Sequence, residues 1–205
     1  MTFEARLWTA CATFAVLFVA LGLAVAHRPP SWFDIRAVGF RGQALGPAVA
    51  LTTSGRAPFL LAFSIVMATI FAFARANVLI PVGVIVSQTV SQGAVELIKH
   101  AFHRLRPDYW IVGRELGYSF PSGHACTSVV FYGAWLALIA FSPLPKPVKI
   151  ALGAIVAIWM LGIDWSRLAL GAHYATDVIG GTIFGLAWIC AIWALLVHFH
   201  VPLRA

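Results

Sequence analysis

The chain has 205 residues, of which 61% are hydrophobic and 10% are charged, and its formal net charge is +7. A mean hydropathy of +0.90 excludes an ordinary soluble globular domain. The positive charge favours anionic lipid head groups over nucleic acid, because so apolar a chain has little water-facing surface. We therefore expect an integral membrane protein in contact with the lipid bilayer.

Six segments are long enough, or nearly so, to cross a bilayer, since a transmembrane helix needs about 20 consecutive apolar residues. The segments without charged or histidine residues are Leu7–Ala26, Ala57–Ala74, Ala76–Val95, Ala125–Pro145, Ile150–Ile163 and Val178–Val197. The fifth is short, but it extends to Leu170 if its charged residues lie at the membrane surface. We expect an all-α polytopic protein with six transmembrane helices in one bundle, forming a single domain over residues 1–205.

Two loops contain nearly all of the unusual polar residues. They are Phe102–Phe120 and Gly171–Thr176, and two predicted spans separate them. An even number of crossings returns the chain to the same side of the membrane. Both loops are therefore expected to face one compartment and to form one site.

The first polar cluster is KHAFHRLRP, residues 99–107, at the end of the third span. If this segment stays helical, Lys99, His103 and Arg106 lie on one helix face. Pro107 disfavours helix at the residue before it and turns the chain. A basic helix end that reaches toward the membrane surface is common, so this cluster alone is weak evidence for a site.

The second cluster is PSGH, residues 121–124, at the start of the fourth span. Ser122 is a good helix N-cap, and the free N–H groups and dipole of a helix start suit an anion such as phosphate. His124 is then expected in the first turn, beside any bound anion. A capped helix with an interfacial histidine explains the same residues without a site.

The third cluster is SRLALGAHYATD, residues 166–177. His173 precedes Asp177 by four residues, so the carboxylate can accept a hydrogen bond from one ring nitrogen and leave a lone pair on the other. A His-Asp cap at a helix end explains the pair equally well. Asp164 precedes Arg167 by three residues, and we expect an ion pair between them on one helix face.

Together the clusters offer three cations, a helix start and two histidines, a set that suits phosphoryl transfer. In that chemistry a protein positions the phosphoryl group and neutralises its oxygens. We expect no metal and no cofactor, because the three cations supply the charge and the sequence has no Asp/Glu cluster for a hard cation.

Eleven residues of these clusters resemble, in order and spacing, the three-part signature of the type 2 phosphatidic acid phosphatase superfamily. They are Lys99, Arg106, Pro107, Pro121, Ser122, Gly123, His124, Ser166, Arg167, His173 and Asp177. The resemblance covers a signature region of residues 99–177, and six spans agree with the membrane branch of the family. The apolar composition argues against its soluble haloperoxidase and acid phosphatase branches.

The resemblance implies a role for each matching residue. His173 is implied as the nucleophile that forms a phosphohistidine, Asp177 as the residue that orients it, and His124 as the general acid that protonates the departing oxygen. The implied phosphate-binding residues are Lys99, Arg106, Ser122, Gly123 and Arg167.

The activity that the resemblance implies is that of an integral membrane lipid phosphatase. Its substrates are expected among phosphatidic acid, phosphatidylglycerophosphate and undecaprenyl pyrophosphate. A lipid phosphotransferase with the same phosphohistidine is the first alternative, and an anion- or proton-coupled transporter is the second. Similarity to bacterial members places the site on the periplasmic face of the inner membrane, and no obligate protein partner is evident.

Overall fold

The computed structural model describes residues 1–111, 113 and 115–201. These residues form helices joined by turns and irregular segments, without a β-strand, so the predicted all-α class is confirmed. The α-helices of this part are α1 (Phe3–Val25), α2 (Trp32–Ala37), α3 (Leu45–Ser54), α4 (Ala57–Phe73), α5 (Leu79–Phe102), α6 (Gly123–Thr127), α7 (Gly133–Phe141), α8 (Lys146–Ala169) and α9 (Ala175–His198). A π-helical turn joins α6 to α7.

The described helices include four that are long and apolar enough to cross a membrane: α1, the segment Gly123–Phe141, α8 and α9. The pair α3 and α4, bent by 59°, gives a fifth if it counts as one span. The predicted six spans are therefore not confirmed. Helix α5 falls outside this group, since polar residues such as Gln88 and Gln92 interrupt its apolar sequence. The apolar helices nevertheless identify an integral membrane protein.

Helix α9 holds the start of α6 in place. A Cβ atom on Gly181 of α9 would overlap the carbonyl oxygen of Ser122, so only glycine allows this approach. The backbone N–H of Ser122 donates to the carbonyl of Asp177 at 3.0 Å. The PSGH turn is thereby fixed against the first turn of α9.

Three phenylalanines pack together where the chain enters that turn. The ring of Phe120 stacks on Phe18 of α1, with centroids 5.4 Å apart, and meets Phe102 edge-on at 5.2 Å. Aromatic pairs of this kind contribute about 0.5–1.5 kcal/mol each beyond their buried area. The loop before α6 is therefore attached at its end to both α1 and α5.

The two polar loops meet at one end of the bundle, as the sequence predicts. The N–H of Ile111 donates to the carbonyl of Leu170 at 3.3 Å, and the Arg106 guanidinium donates to the carbonyl of Ala172 at 3.1 Å. The segment between α2 and α3 joins them, because the N–H of Gly42 donates to the carbonyl of Ala169 at 2.9 Å. Three separate segments therefore enclose the same space.

Candidate active site

Helix α5 brings Lys99 to the site but ends before Arg106. Lys99 is buried in the last turn and forms an ion pair with Glu96 at 2.6 Å. The helix stops at Phe102, because His103 adopts a left-handed backbone with φ of 51°. The predicted common helix face for Lys99, His103 and Arg106 is therefore wrong. Arg106 reaches the site from the loop, and the His103 ring lies beside Tyr118 instead, with centroids 4.6 Å apart.

Arg106 determines which nitrogen of His173 carries the proton. Its Nη1 lies 3.2 Å from Nε2 of His173, and a guanidinium can only donate. Nε2 is therefore the accepting nitrogen, and the proton of the neutral ring is on Nδ1. Burial lowers the pKa of His173 well below its ordinary value, and Arg106, Arg167 and Lys99 add to this effect. His173 is thus uncharged at neutral pH, with its Nε2 lone pair directed toward a cation.

The predicted hydrogen bond between His173 and Asp177 is not formed. Nδ1 of His173 lies 3.5 Å from Oδ2 of Asp177, and this nitrogen has no hydrogen-bond partner among the described residues. The same carboxylate oxygen accepts hydrogen bonds from the Ser119 hydroxyl and from the N–H of Tyr174. The carboxylate still faces the protonated nitrogen, where it can stabilise a positive ring.

Asp177 is also positioned by a network of buried hydrogen bonds that the sequence did not reveal. Arg104 donates to Oδ1 of Asp177 at 2.6 Å, to the hydroxyl of Thr176 at 2.7 Å and to Asp34 at 3.1 Å. Asp34, on α2, also accepts from the N–H of Thr176 at 2.9 Å. No local motif predicts this network, because Asp34 and Arg104 are 70 positions apart in the chain.

Replacement of Arg104 by methionine, which is of similar length, is expected to destabilise the protein strongly. The change leaves two buried carboxylates without their cation, and breaking a buried ion pair in this way costs about 3–5 kcal/mol. Arg36→Met removes a charge from the exposed side of α2 and is the matched control; its effect should stay within about 0.5 kcal/mol. Unfolding followed in detergent checks this, and equal stability of the two variants would contradict the role given to Arg104.

Arg167 lies on α8 and is almost fully buried. Its Nη1 donates to the hydroxyl of Thr52 and its Nη2 to Oε1 of Glu115 at 2.7 Å. Its Nε has no hydrogen-bond partner in the part of the chain that the structure describes, so one N–H remains for an anion. The predicted ion pair with Asp164 is wrong, since that carboxylate accepts from Ser128 at 3.0 Å and from Thr182 at 3.3 Å.

The PSGH turn has the predicted cap. The Ser122 hydroxyl oxygen accepts from the N–H of Ala125 at 3.4 Å, and α6 begins at Gly123. Nε2 of His124 lies 3.1 Å from the carbonyl oxygen of Thr52. Because a carbonyl only accepts, this nitrogen carries a proton. Thr52 of α3 therefore contacts both Arg167 and His124, a role that sequence reasoning missed.

Glu115, to which the sequence analysis assigned no role, lies between the two arginines. Its Oε2 is 3.2 Å from Nη1 of Arg106, while its Oε1 contacts Arg167. Burial alone would raise the pKa of Glu115, but the positive charges of Arg167 and Arg106 lower it to about 2. Glu115 is consequently ionised at any physiological pH.

The arrangement can therefore bind a tetrahedral oxyanion beside a nucleophile. Two guanidinium groups converge on a carboxylate, and an unprotonated imidazole nitrogen lies next to one of them. Arginine forks match phosphate oxygens as they match carboxylates. Across the described ranges 1–111, 113 and 115–201, no three His, Cys, Asp or Glu side chains gather into a metal-binding group.

A cavity of about 740 Å³ adjoins the site. It lies between α4 and α5 and includes Arg56, Gln92 and His124 among its lining residues. Leu60, Leu61 and Ile85 supply apolar surface. The cavity thus connects His124 with a space that suits an apolar chain.

Comparisons with known proteins identify the family of this chain and its fold. The family model of the PAP2 superfamily matches residues 78–200. Phosphatidylglycerophosphatase B from Bacillus subtilis is 33% identical over 96 residues, which are 44% of this chain and 45% of that protein. Lipid A 1-phosphatase from Rhizobium johnstonii is 34% identical over 110 residues, which are 49% of this chain and 41% of that protein. Each alignment thus spans less than half the length of the relative.

A solved structure shares the fold over nearly the whole chain. It is the crystal structure of a transmembrane PAP2 type phosphatidylglycerolphosphate phosphatase from Bacillus subtilis, with a TM-score of 0.79. The match covers 94% of this chain and 97% of that chain at 22% sequence identity. The similarity therefore concerns the fold of the whole described bundle.

Proposed function

The chain belongs to the PAP2 superfamily, and on this premise we propose that it is an integral membrane lipid phosphatase with a single membrane-embedded domain. The observation that carries the proposal is the neutral His173, whose Nε2 lies 3.2 Å from an arginine of a site that already binds a carboxylate. A phosphate bound there would take the Arg106 N–H onto its own oxygen and so free the Nε2 lone pair to attack phosphorus.

In the proposed first step, Nε2 of His173 attacks phosphorus in line with the lipid oxygen. A P–N bond forms as the P–O bond to the lipid breaks, and the bonding electrons leave with the lipid oxygen. His124 enters this step as the imidazolium: its Nε2–H stays bonded to the Thr52 carbonyl, and its Nδ1–H supplies the proton that the lipid oxygen needs. The positive charge on the phosphorylated ring is stabilised by Asp177, which faces its Nδ1–H at 3.5 Å.

In the proposed second step, water attacks the phosphohistidine. His124, now without that proton, accepts one from the water, the P–N bond breaks, and inorganic phosphate leaves. His173 then returns to its neutral form with the proton on Nδ1. The cycle needs no redox partner, and proton transfer to and from His124 balances over the two steps.

Lys99, Arg106 and Arg167 are proposed to neutralise the phosphoryl oxygens without a metal ion. Ser122 and Gly123 are proposed to donate hydrogen bonds to the same phosphoryl group. The Ser122 N–H is already bonded to Asp177, so the Ser122 hydroxyl proton and the N–H of Gly123 are the donors left for phosphate.

The cavity beside His124 supports a membrane lipid as the substrate. It lies on the side of the general acid, where the departing group must be, and its leucine and isoleucine lining suits an acyl or polyprenyl chain. We propose a substrate among phosphatidic acid, phosphatidylglycerophosphate and undecaprenyl pyrophosphate.

We further propose that the site faces the periplasm from a bacterial inner membrane. The variant Tyr109→Cys tests this orientation, because a membrane-impermeant thiol reagent added from outside should label it.

Release of inorganic phosphate from a panel of these lipids, by protein purified in mild detergent with chelator present, tests the function. We expect release that is unaffected by the chelator and is fastest with one lipid class. Phosphate recovered on a lipid or sugar acceptor, in place of free phosphate, would support the phosphotransferase. Anion or proton flux in proteoliposomes without any phosphate release would overturn the proposal in favour of a transporter.

A further inference from the structure

Glu115 occupies the place where the proposed function puts the substrate phosphate. Its two carboxylate oxygens contact two different guanidinium groups, Arg167 at 2.7 Å and Arg106 at 3.2 Å. A phosphate would offer two oxygens to the same two forks. A carboxylate held this way imitates two of the phosphoryl oxygens.

We infer that Glu115 is a built-in competitor of phosphate, which must leave Arg106 and Arg167 before a substrate binds and which returns when the product departs. The inference rests on the proposed function, since it assumes that these arginines bind phosphate. It makes Glu115 a determinant of substrate affinity and of product release.

Burial shows which member of this group can move. The side chains of Arg106 and Arg167 are 8% and 1% exposed, whereas that of Glu115 is 30% exposed. Arg106 and Arg167 are also held by the Ala172 carbonyl and the Thr52 hydroxyl. Glu115 can therefore turn toward water while both arginines remain in place.

Charge explains why a competitor is useful here. Without Glu115, the two buried guanidinium groups would bind another anion tightly. Inorganic phosphate is the anion that the proposed reaction produces. A carboxylate that stays ionised compensates their charge between turnovers. It also shortens the time that the product remains bound.

A structural role for Glu115 predicts the opposite result. If its carboxylate only positions the two arginines, its removal should loosen them and weaken phosphate binding. If it competes with phosphate, its removal should strengthen phosphate binding. The sign of the change in affinity therefore separates the two roles.

Inorganic phosphate titrated into the purified protein by calorimetry tests the inference. For Glu115→Gln we expect a Kd about tenfold lower than for wild type, because the substitution removes two competing, partly exposed ion pairs, with Arg106 and with Arg167. Asp108→Asn removes an exposed carboxylate from the same loop and should change Kd less than about twofold. An unchanged or higher Kd for Glu115→Gln, or no phosphate binding by that variant, overturns the inference.

Two further measurements keep the result interpretable. Glu115→Asp, one methylene shorter, should fall between wild type and Glu115→Gln. Thermal unfolding of Glu115→Gln should show a Tm that rises more steeply with phosphate than that of wild type. These binding measurements do not depend on lipid turnover. A lower Kd for Glu115→Gln can therefore be found even if the protein is not a phosphatase, and an unchanged Kd can be found even if it is one.

Discussion

Replacing His173 by alanine is expected to remove lipid phosphatase activity, lowering kcat by about three orders of magnitude or more, because no other group takes over a covalent step. His173 has its neutral Nε2 beside Arg106 at 3.2 Å. The test uses a lipid with a labelled phosphate and stops the reaction with alkali within one turnover. Label should then remain on the wild-type protein and not on His173→Ala.

His100→Ala is the control for this experiment. His100 is an exposed histidine at the same end of α5, with its ring beside Tyr118. Both the label and the activity should survive its removal. Label that persists in His173→Ala, or activity within tenfold of wild type, would show that another group is the nucleophile.

Replacing His124 by alanine is expected to slow the reaction in a way that depends on the departing group. For a lipid phosphate, whose alkoxide needs a proton, loss of a general acid lowers the first step by about 10²–10⁴-fold. For p-nitrophenyl phosphate the departing phenolate needs no proton, so the initial burst of phenolate should remain. Its steady-state rate should still fall, because His124 also activates water in the second step.

Rapid-mixing measurements of both substrates with wild type and His124→Ala separate these steps. A burst lost to the same extent for both substrates would mean that His124 binds phosphate and does not donate a proton. Thr52→Val adds a second comparison, since it keeps the backbone carbonyl that contacts Nε2 of His124 and removes only the hydroxyl next to Arg167.

The membrane class and the motif residues of the candidate site followed from the sequence. Apolar segments separated by polar loops predict membrane helices by length and hydropathy. The cap at Ser122 depends on residues within one turn, and it was predicted and observed. The prediction that the two polar loops meet followed from counting spans. Two spans separate the loops, and a chain that crosses a membrane twice returns to the same side.

Tertiary structure alone decided how these residues are held. Arg106 lies beyond the end of α5 because His103 adopts a left-handed backbone, a choice that a helical pattern does not show. Asp34, Thr52 and Glu115 carry no motif, yet they contact the arginines and histidines of the site. Ion pairs and hydrogen bonds depend on distance in space, and the three pairs Asp34–Arg104, Thr52–His124 and Glu115–Arg167 are 70, 72 and 52 positions apart in the chain. Residue type and spacing therefore determined the motif residues of the site. Packing of the helices and loops decided which further residues contact them, including Glu115, which pairs with both Arg106 and Arg167.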